Sequence, residues 1–165
     1  MRQLSLLKKP SLQCGGSEKS AHTLRTLSSK IPMHLILKTG KPLSLFRNRD
    51  RIMGIIKKQA KSFGIEIYTW GIEKNHIHLS LKISSRENYK KWIRATTGLI
   101  ARILGKGLWS YRPFTRVLSG FGRDFAALNN YIFRNEMEAF KIWKYDRSKS
   151  ISELAKTTRT GIFQV

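Results

Sequence analysis

Between Ile31 and Phe140 the apolar residues change their period in a set order, and that order constrains the fold more than any other feature of the chain. Ile31 to Lys38 is a short apolar run that suits a buried strand. From Asn48 the period turns helical: Ile52, Ile55, Ile56, Ala60 and Phe63 share one stripe, with Arg51, Lys57, Lys58 and Lys61 largely outside it, and Gly64 ends the helix. Ile65 to Glu73 is rich in β-branched and aromatic residues, and a tight turn near Lys74-Asn75 joins it to the run from His76 as a hairpin. Ser84 or Ser85 with Glu87 starts a second helix, Ser84 being the one spaced for a capping box. Trp92, Ile93, Thr96, Leu99, Ile100 and Ile103 form its stripe, and Gly105-Lys106-Gly107 stops it. Trp109 to Leu118 reads as a fourth strand and Arg123 to Phe140 as a third helix. The order β-α-β-β-α-β followed by α is that of an α+β, ferredoxin-like split βαβ fold: an antiparallel sheet with its first two helices on one face and the other face open.

The hairpin's second strand carries two imidazoles. Side chains alternate along a strand, so His76 and His78 share one face while Ile77, Leu79, Leu81 and Ile83 share the other. If the apolar set packs under the helices, both histidines lie on the open face. Neutral imidazole is a common ligand for divalent metals, and two on one strand face can hold one ion if a third group arrives from another element. The third helix offers oxygen donors, because Tyr131 and Asn135 are four apart and share a helix face beside the docking stripe Phe125, Leu128 and Ile132.

Charge narrows the partner. The chain has 32 Lys+Arg against 10 Asp+Glu, a formal charge of +22 in 165 residues, which favours a polyanion and nucleic acid above all. Arg47, Arg49, Arg51, Lys57, Lys58 and Lys61 cluster on the first helix and its approach, and Arg112, Arg116 and Arg123 flank the fourth strand; such groups neutralise phosphates without reading sequence. Trp70, Trp109 and Tyr111 suit base stacking and core packing equally. No apolar run is long enough to span a bilayer, and Lys8, Lys9 and Pro10 break the Leu4 to Leu7 stretch before it makes a signal segment, so a cytoplasmic, nucleoid-associated protein is expected. The lone Cys14 cannot form an internal disulfide. Residues 1–30 read as a basic, flexible or draped arm, 31–145 as one domain, and 146–165 as a polar tail with at most a short helix around Ser152 to Lys156.

With His76-Ile77-His78, Asn75 before it, Tyr131-Ile132 and Asn135 downstream, and this element order from about Ile31 to Phe140, the chain resembles the HUH single-tyrosine transposases, most closely their REP-associated tyrosine transposase branch. The resemblance implies that His76 and His78 hold Mg or Mn, that Asn135 stands where the third protein ligand comes from, and that Tyr131 is the nucleophile. Many insertion-sequence relatives have Gln at that third position, and many REP-associated ones have Asn followed by Pro. Here Asn135-Glu136 lets the helix continue. The implied reaction is metal-dependent nicking and rejoining of single-stranded DNA at hairpin-bearing elements through a 5′-phosphotyrosine, by a monomer or homodimer. The rival reading is a non-catalytic DNA-hairpin regulator of the same fold. A basic RNA binder fits less well, since no aromatic string such as Lys-Gly-Phe-Gly-Phe occurs.

Other residues compete poorly for these roles. Tyr68 and Tyr111 fall in expected strands as packing residues, while Tyr89 and Tyr145 have Ile93 and Lys149, not oxygen ligands, at i+4. His34 and His22 read as structural or solvent-exposed; Glu73, Glu136 and Glu138 could assist as metal ligand or base, but read first as solvated. A structural zinc site would need four protein ligands, and no Cys pair exists to complete one.

Overall fold

The computed structural model describes residues 13–14, 25–40 and 45–141, so the C-terminal tail, Tyr145 and His22 lie outside the described residues. In chain order the elements are β1 (Gln13–Cys14), β2 (Met33–Lys38), a short 3-10 turn (Phe46–Asn48), α1 (Arg49–Phe63), β3 (Ile65–Ile72), β4 (His76–Ile83), α2 (Arg86–Leu104), β5 (Phe114–Val117) and α3 (Arg123–Ala139). The sheet runs β1-β5-β2-β4-β3, and every pairing is antiparallel. Its four main strands follow the expected split βαβ order, and β1 adds two residues beside β5 within the segment read as an arm. Arg25 joins that segment to the body through the carbonyl of Pro113 and Thr115 Oγ1.

Local chemistry sets the element ends. Gly64 closes α1 at φ 62°, a left-handed conformation in which a Cβ would be strained. Ser85, not Ser84, caps α2: its Oγ accepts from Asn88 N at 3.1 Å. Ser84 Oγ instead donates to Phe63 O at 3.2 Å, tying the start of α2 to the end of α1. The fourth strand is shorter than its apolar run suggested, covering Phe114–Val117 rather than Trp109 to Leu118. Pro113 has no N–H for a ladder, and Trp109 donates its indole N–H to Thr97 O at 2.9 Å, which holds that segment against α2. Trp109 is thereby a packing residue.

One face of the sheet builds the main core. Leu35, Leu37, Ile77, Leu79 and Leu81 meet Ile52 and Ile56 of α1 and Trp92 and Ile100 of α2, all fully or almost fully buried. The other face is only partly open, because α3 crosses β3 and the near side of β4. Ile132 is buried there in a small cluster with Leu128, Leu118 and Phe125. The helix comes so close that a Cβ on Gly71 would meet Ile132 Cγ2 and O at 3.2 Å; glycine at this one position of β3 sets the docking distance. Tyr68, at the β3 irregularity, packs edge-on against Phe121 and Phe125. Burial, with Glu66 beside it, pushes the Tyr68 phenol up to about 12, which suits a packing role.

Candidate active site

Strand register brings the histidines together. Ile36 of β2 pairs with His78 of β4, and Lys38 pairs with His76, so His34, His76 and His78 project from the same face of the sheet as α3. His34, expected to be structural or exposed, is buried, and its Nε2 lies 3.0 Å from His78 Nδ1. Burial first, then the neighbouring His78 and Arg116, hold the His34 pKa down to about 3, so the ring is neutral near neutrality. A neutral ring has one lone pair to offer. With His34 Nε2 accepting from His78 Nδ1–H, the His78 Nε2 lone pair is left to face the site. Asn75 Oδ1 does the same for His76, accepting from Nδ1 at 2.7 Å.

Both Nε2 atoms converge on Glu73, which ends the hairpin's first arm and was expected to be solvated. Its Oε1 lies 3.0 Å from His76 Nε2 and 3.3 Å from His78 Nε2. One ligand atom from each of the three residues falls within 4.8 Å of the others. Neither Glu73 Oε1 nor His78 Nε2 completes a hydrogen bond, although both are buried. Two imidazole lone pairs facing a carboxylate at such distances repel one another unless a cation sits among them. Burial would raise the Glu73 carboxyl, but imidazoles that carry a proton on Nε2 donate to it and more than offset burial, holding the pKa at about 2; the three groups thus call for positive charge among them, from a proton or from a bound cation. The donor set, two nitrogens and one oxygen with room for further ligands, fits a divalent metal.

Tyr131 of α3 stands beside this cluster. Its ring is 5.5 Å from His78 and 6.3 Å from His34, edge-on to both, and 48 % of the residue is exposed. The phenol is thus held at the mouth of the site. His78, by contrast, is buried beneath α3 rather than lying on an open face. Asn135, a turn beyond Tyr131, is half-buried on α3, which runs on through Glu136 to Ala139 as the absence of Pro led one to expect. Among the His, Cys, Asp and Glu side chains of the described residues, Glu73 supplies the third ligand atom beside the two histidines.

The basic and aromatic residues divide by location. Arg49 packs its guanidinium 4.9 Å from the Trp70 ring and 4.4 Å from the Phe140 ring, and it is ion-paired with Glu136 of α3. Glu136 is therefore not solvated; burial pushes its carboxyl up against the opposing pull of Arg49. This contact ties the tyrosine helix to α1 of its own chain. Lys57 Nζ lies 5.5 Å from the Trp70 ring, so Trp70 serves packing. Arg47, Arg51, Lys58 and Lys61 are exposed on or before α1, whose buried side packs on the sheet face opposite the histidines. Lys38 and Arg112 line a cavity of about 240 Å³ on the histidine face with Ile36 and Phe114, and Lys38 Nζ sits 4.9 Å from the Tyr111 ring. Arg116 is exposed on β5, and Arg123 opens α3. Among the described residues no helix is long and apolar enough to cross a membrane.

Asn75, His76, His78 and Tyr131 were visible as a motif in the sequence. Glu73 was one of three glutamates weighed as a metal ligand or base and ranked as solvated, although it precedes the turn by one residue, and His34 was set aside although it belongs to the strand that pairs with the histidine strand. Comparison with known proteins bears on the family and the fold. The family model described as "Transposase IS200 like" matches residues 27–116. Among solved structures, the fold is similar to that of a REP-associated tyrosine transposase bound to a REP hairpin, with 13% identity and a TM-score of 0.58, covering 72% of this chain and 74% of that one. A putative transposase from Deinococcus radiodurans R1 also aligns, at 19% identity and a TM-score of 0.47, covering 70% of this chain and 98% of that one. No curated protein matches.

Proposed function

The chain belongs to the IS200-like transposase family, and from that membership we propose that it nicks and rejoins single-stranded DNA at hairpin-bearing elements, with Tyr131 as nucleophile and a divalent metal at Glu73, His76 and His78. The observation that carries this reading is the half-exposed Tyr131 ring set edge-on against His78, whose Nε2 converges with His76 and Glu73. The similar REP-associated transposase is bound to a REP hairpin, which supports a hairpin substrate here.

In the proposed reaction the Tyr131 phenol oxygen attacks phosphorus, the bond from phosphorus to the 3′ oxygen breaks, and that oxygen leaves with a proton as a free 3′-OH. The 5′ side stays on the enzyme as a phosphotyrosine. A later 3′-OH attacks the same phosphorus and returns the proton to Tyr131, joining strands without an external energy source. A phenol is mostly protonated near neutrality, its ordinary pKa lying near ~10, so it needs help both as nucleophile and as leaving group. When bound, Mg or Mn would act as a Lewis acid on a phosphate oxygen and orient the strand. Glu73 and the two Nε2 atoms would hold the ion, Asn75 and His34 fix the imidazole tautomers, and Asn135 is the further oxygen donor on the Tyr131 face of α3. Lys38, on the same sheet face, would neutralise a flanking phosphate.

The test is incubation with hairpin-bearing single strands and Mn, followed by a search for a covalent protein–DNA band. Wild type should form it and lose it in excess chelator. Tyr131→Phe should abolish it and bind the strand within about twofold of wild type, since only the phenol oxygen is removed. Hairpin binding with no band under any condition would favour a non-catalytic regulator instead.

A further inference from the structure

A second cavity opens on the other side of Tyr131. It has a volume of about 370 Å³ and shares His34 and Tyr131 with the site just described but none of Glu73, His76 and His78. That size is within the range of roughly 300–1,000 Å³ common for small-ligand pockets. Strand order explains the separation: the metal-ligating residues belong to the β4 and β3 side of the sheet, whereas Arg116 and Leu118 bring the cavity to the β5 side.

Its walls are of two kinds. Leu118, Ala127 and Leu128 give an apolar surface, and Asp124 and Arg116 place opposite charges on the same lining. Among the described residues these two charges make no ion pair with each other, and both line the cavity. Asp124 is held in place, since its Oδ2 accepts from Ser119 Oγ at 2.6 Å. An occupant should therefore be flat and apolar on its faces, carry hydrogen-bond donors and acceptors at its edge, and be joined to a group that reaches Tyr131.

We propose that this cavity receives the unpaired base of the nucleotide adjoining the phosphate attacked by Tyr131, and that Asp124 and Arg116 read its edge. The inference rests on the single-strand reading above and adds base selectivity at one position. An ionised carboxylate only accepts hydrogen bonds. Adenine, cytosine and guanine each present an exocyclic amino group to it, while thymine's single N–H is flanked by two carbonyls that the carboxylate repels. Arg116 can donate to the ring nitrogens and carbonyls of the accepted bases. A base in a duplex is stacked and paired, so entry favours single strands.

The experiment uses single strands that differ only at the positions flanking the cleavage point, each carrying one of the four bases or an abasic site. Adduct formation is followed for wild type, and affinity for Tyr131→Phe, so that binding is read apart from chemistry. At one flanking position thymine and the abasic site should weaken binding or slow the adduct by about 10-fold or more, as expected for one base contact. Asp124→Asn, whose amide can donate to thymine, should erase the discrimination against it. Ala127→Trp, at an exposed helix position, should fill the cavity and make intact and abasic strands equivalent. Indifference of both readouts to the base at every flanking position would overturn the proposal, as would unchanged selectivity in both variants. If Tyr131→Phe binding selects a base but wild type never forms an adduct, the cavity assignment stands and the cleavage reading falls.

Discussion

His34 gives the protein a stability term that a single substitution should remove. The ring is 8 % exposed, and its pKa of about 3 lies well below the ordinary value of 6.5, chiefly through burial and then through His78 and Arg116. In the unfolded chain the same imidazole takes up a proton near 6.5, whereas the native ring resists it down to about 3. Over that window the unfolded state binds more protons, so stability is full above 6.5 and is lost as pH falls toward 3. At about pH 5 the loss should be about 2 kcal/mol, since each pH unit below 6.5 is worth about 1.4 kcal/mol. Glu73 adds nothing in this range, because its depressed carboxyl begins to matter only below its ordinary 4.5. Glu136, raised by burial, acts in the opposite sense just above the ordinary carboxylate range, but it is present in both proteins compared and cancels. Urea unfolding of wild type and His34→Gln, in chelator at about pH 7.5 and about pH 5, provides the measurement. Gln keeps a polar group near His78 without titrating. Wild type should lose about 2 kcal/mol more than the variant between the two conditions. Parallel losses would refute the buried, neutral His34 and with it the tautomer assigned to His78.

Three further outcomes follow from the geometry. By calorimetry Glu73→Ala should weaken Mn binding about 10–100-fold and more than Asn135→Ala does, Glu73 being the group that meets both Nε2 atoms; the reverse ranking would return the third ligand position to α3. Gly71→Val should overpack the contact with Ile132, cost about 1–3 kcal/mol and reduce adduct formation by displacing Tyr131 from His78, with helix content by circular dichroism unchanged; full activity would show that α3 docks elsewhere in solution. Affinity for single-stranded DNA should fall against salt with a log–log slope of roughly −4 if about six Lys/Arg contacts release counterions, and a slope near zero would remove the electrostatic account of the +22 charge.

The order of elements and the identity of the sheet were legible in the sequence because period is a local property: two-residue alternation in His76 to Ile83 and helical stripes around Ile56 and Trp92 each report the face that must be buried. His76 and His78 were legible for the same reason, since residues two apart share a strand face, and so was Tyr131 with Asn135 on one helix face; Asn75 and the role of Tyr131 came from the resemblance to the HUH transposases. What local pattern could not supply is partnership across the sheet and between helices. Glu73 looked solvated until the hairpin folded its carboxylate back onto two imidazoles, and His34 looked isolated until β2 paired with β4 and placed its ring against His78. Arg49 read as a phosphate contact from its basic neighbours, yet it meets Glu136, 87 positions away, because α3 docks over Gly71 on the edge strand. Nor does an apolar run say where a ladder stops, and Trp109 joined α2 instead of β5 when its indole found Thr97. In each case the deciding contact joins residues that only the closed sheet or a docked helix brings within a few ångströms, and burial then sets their charge.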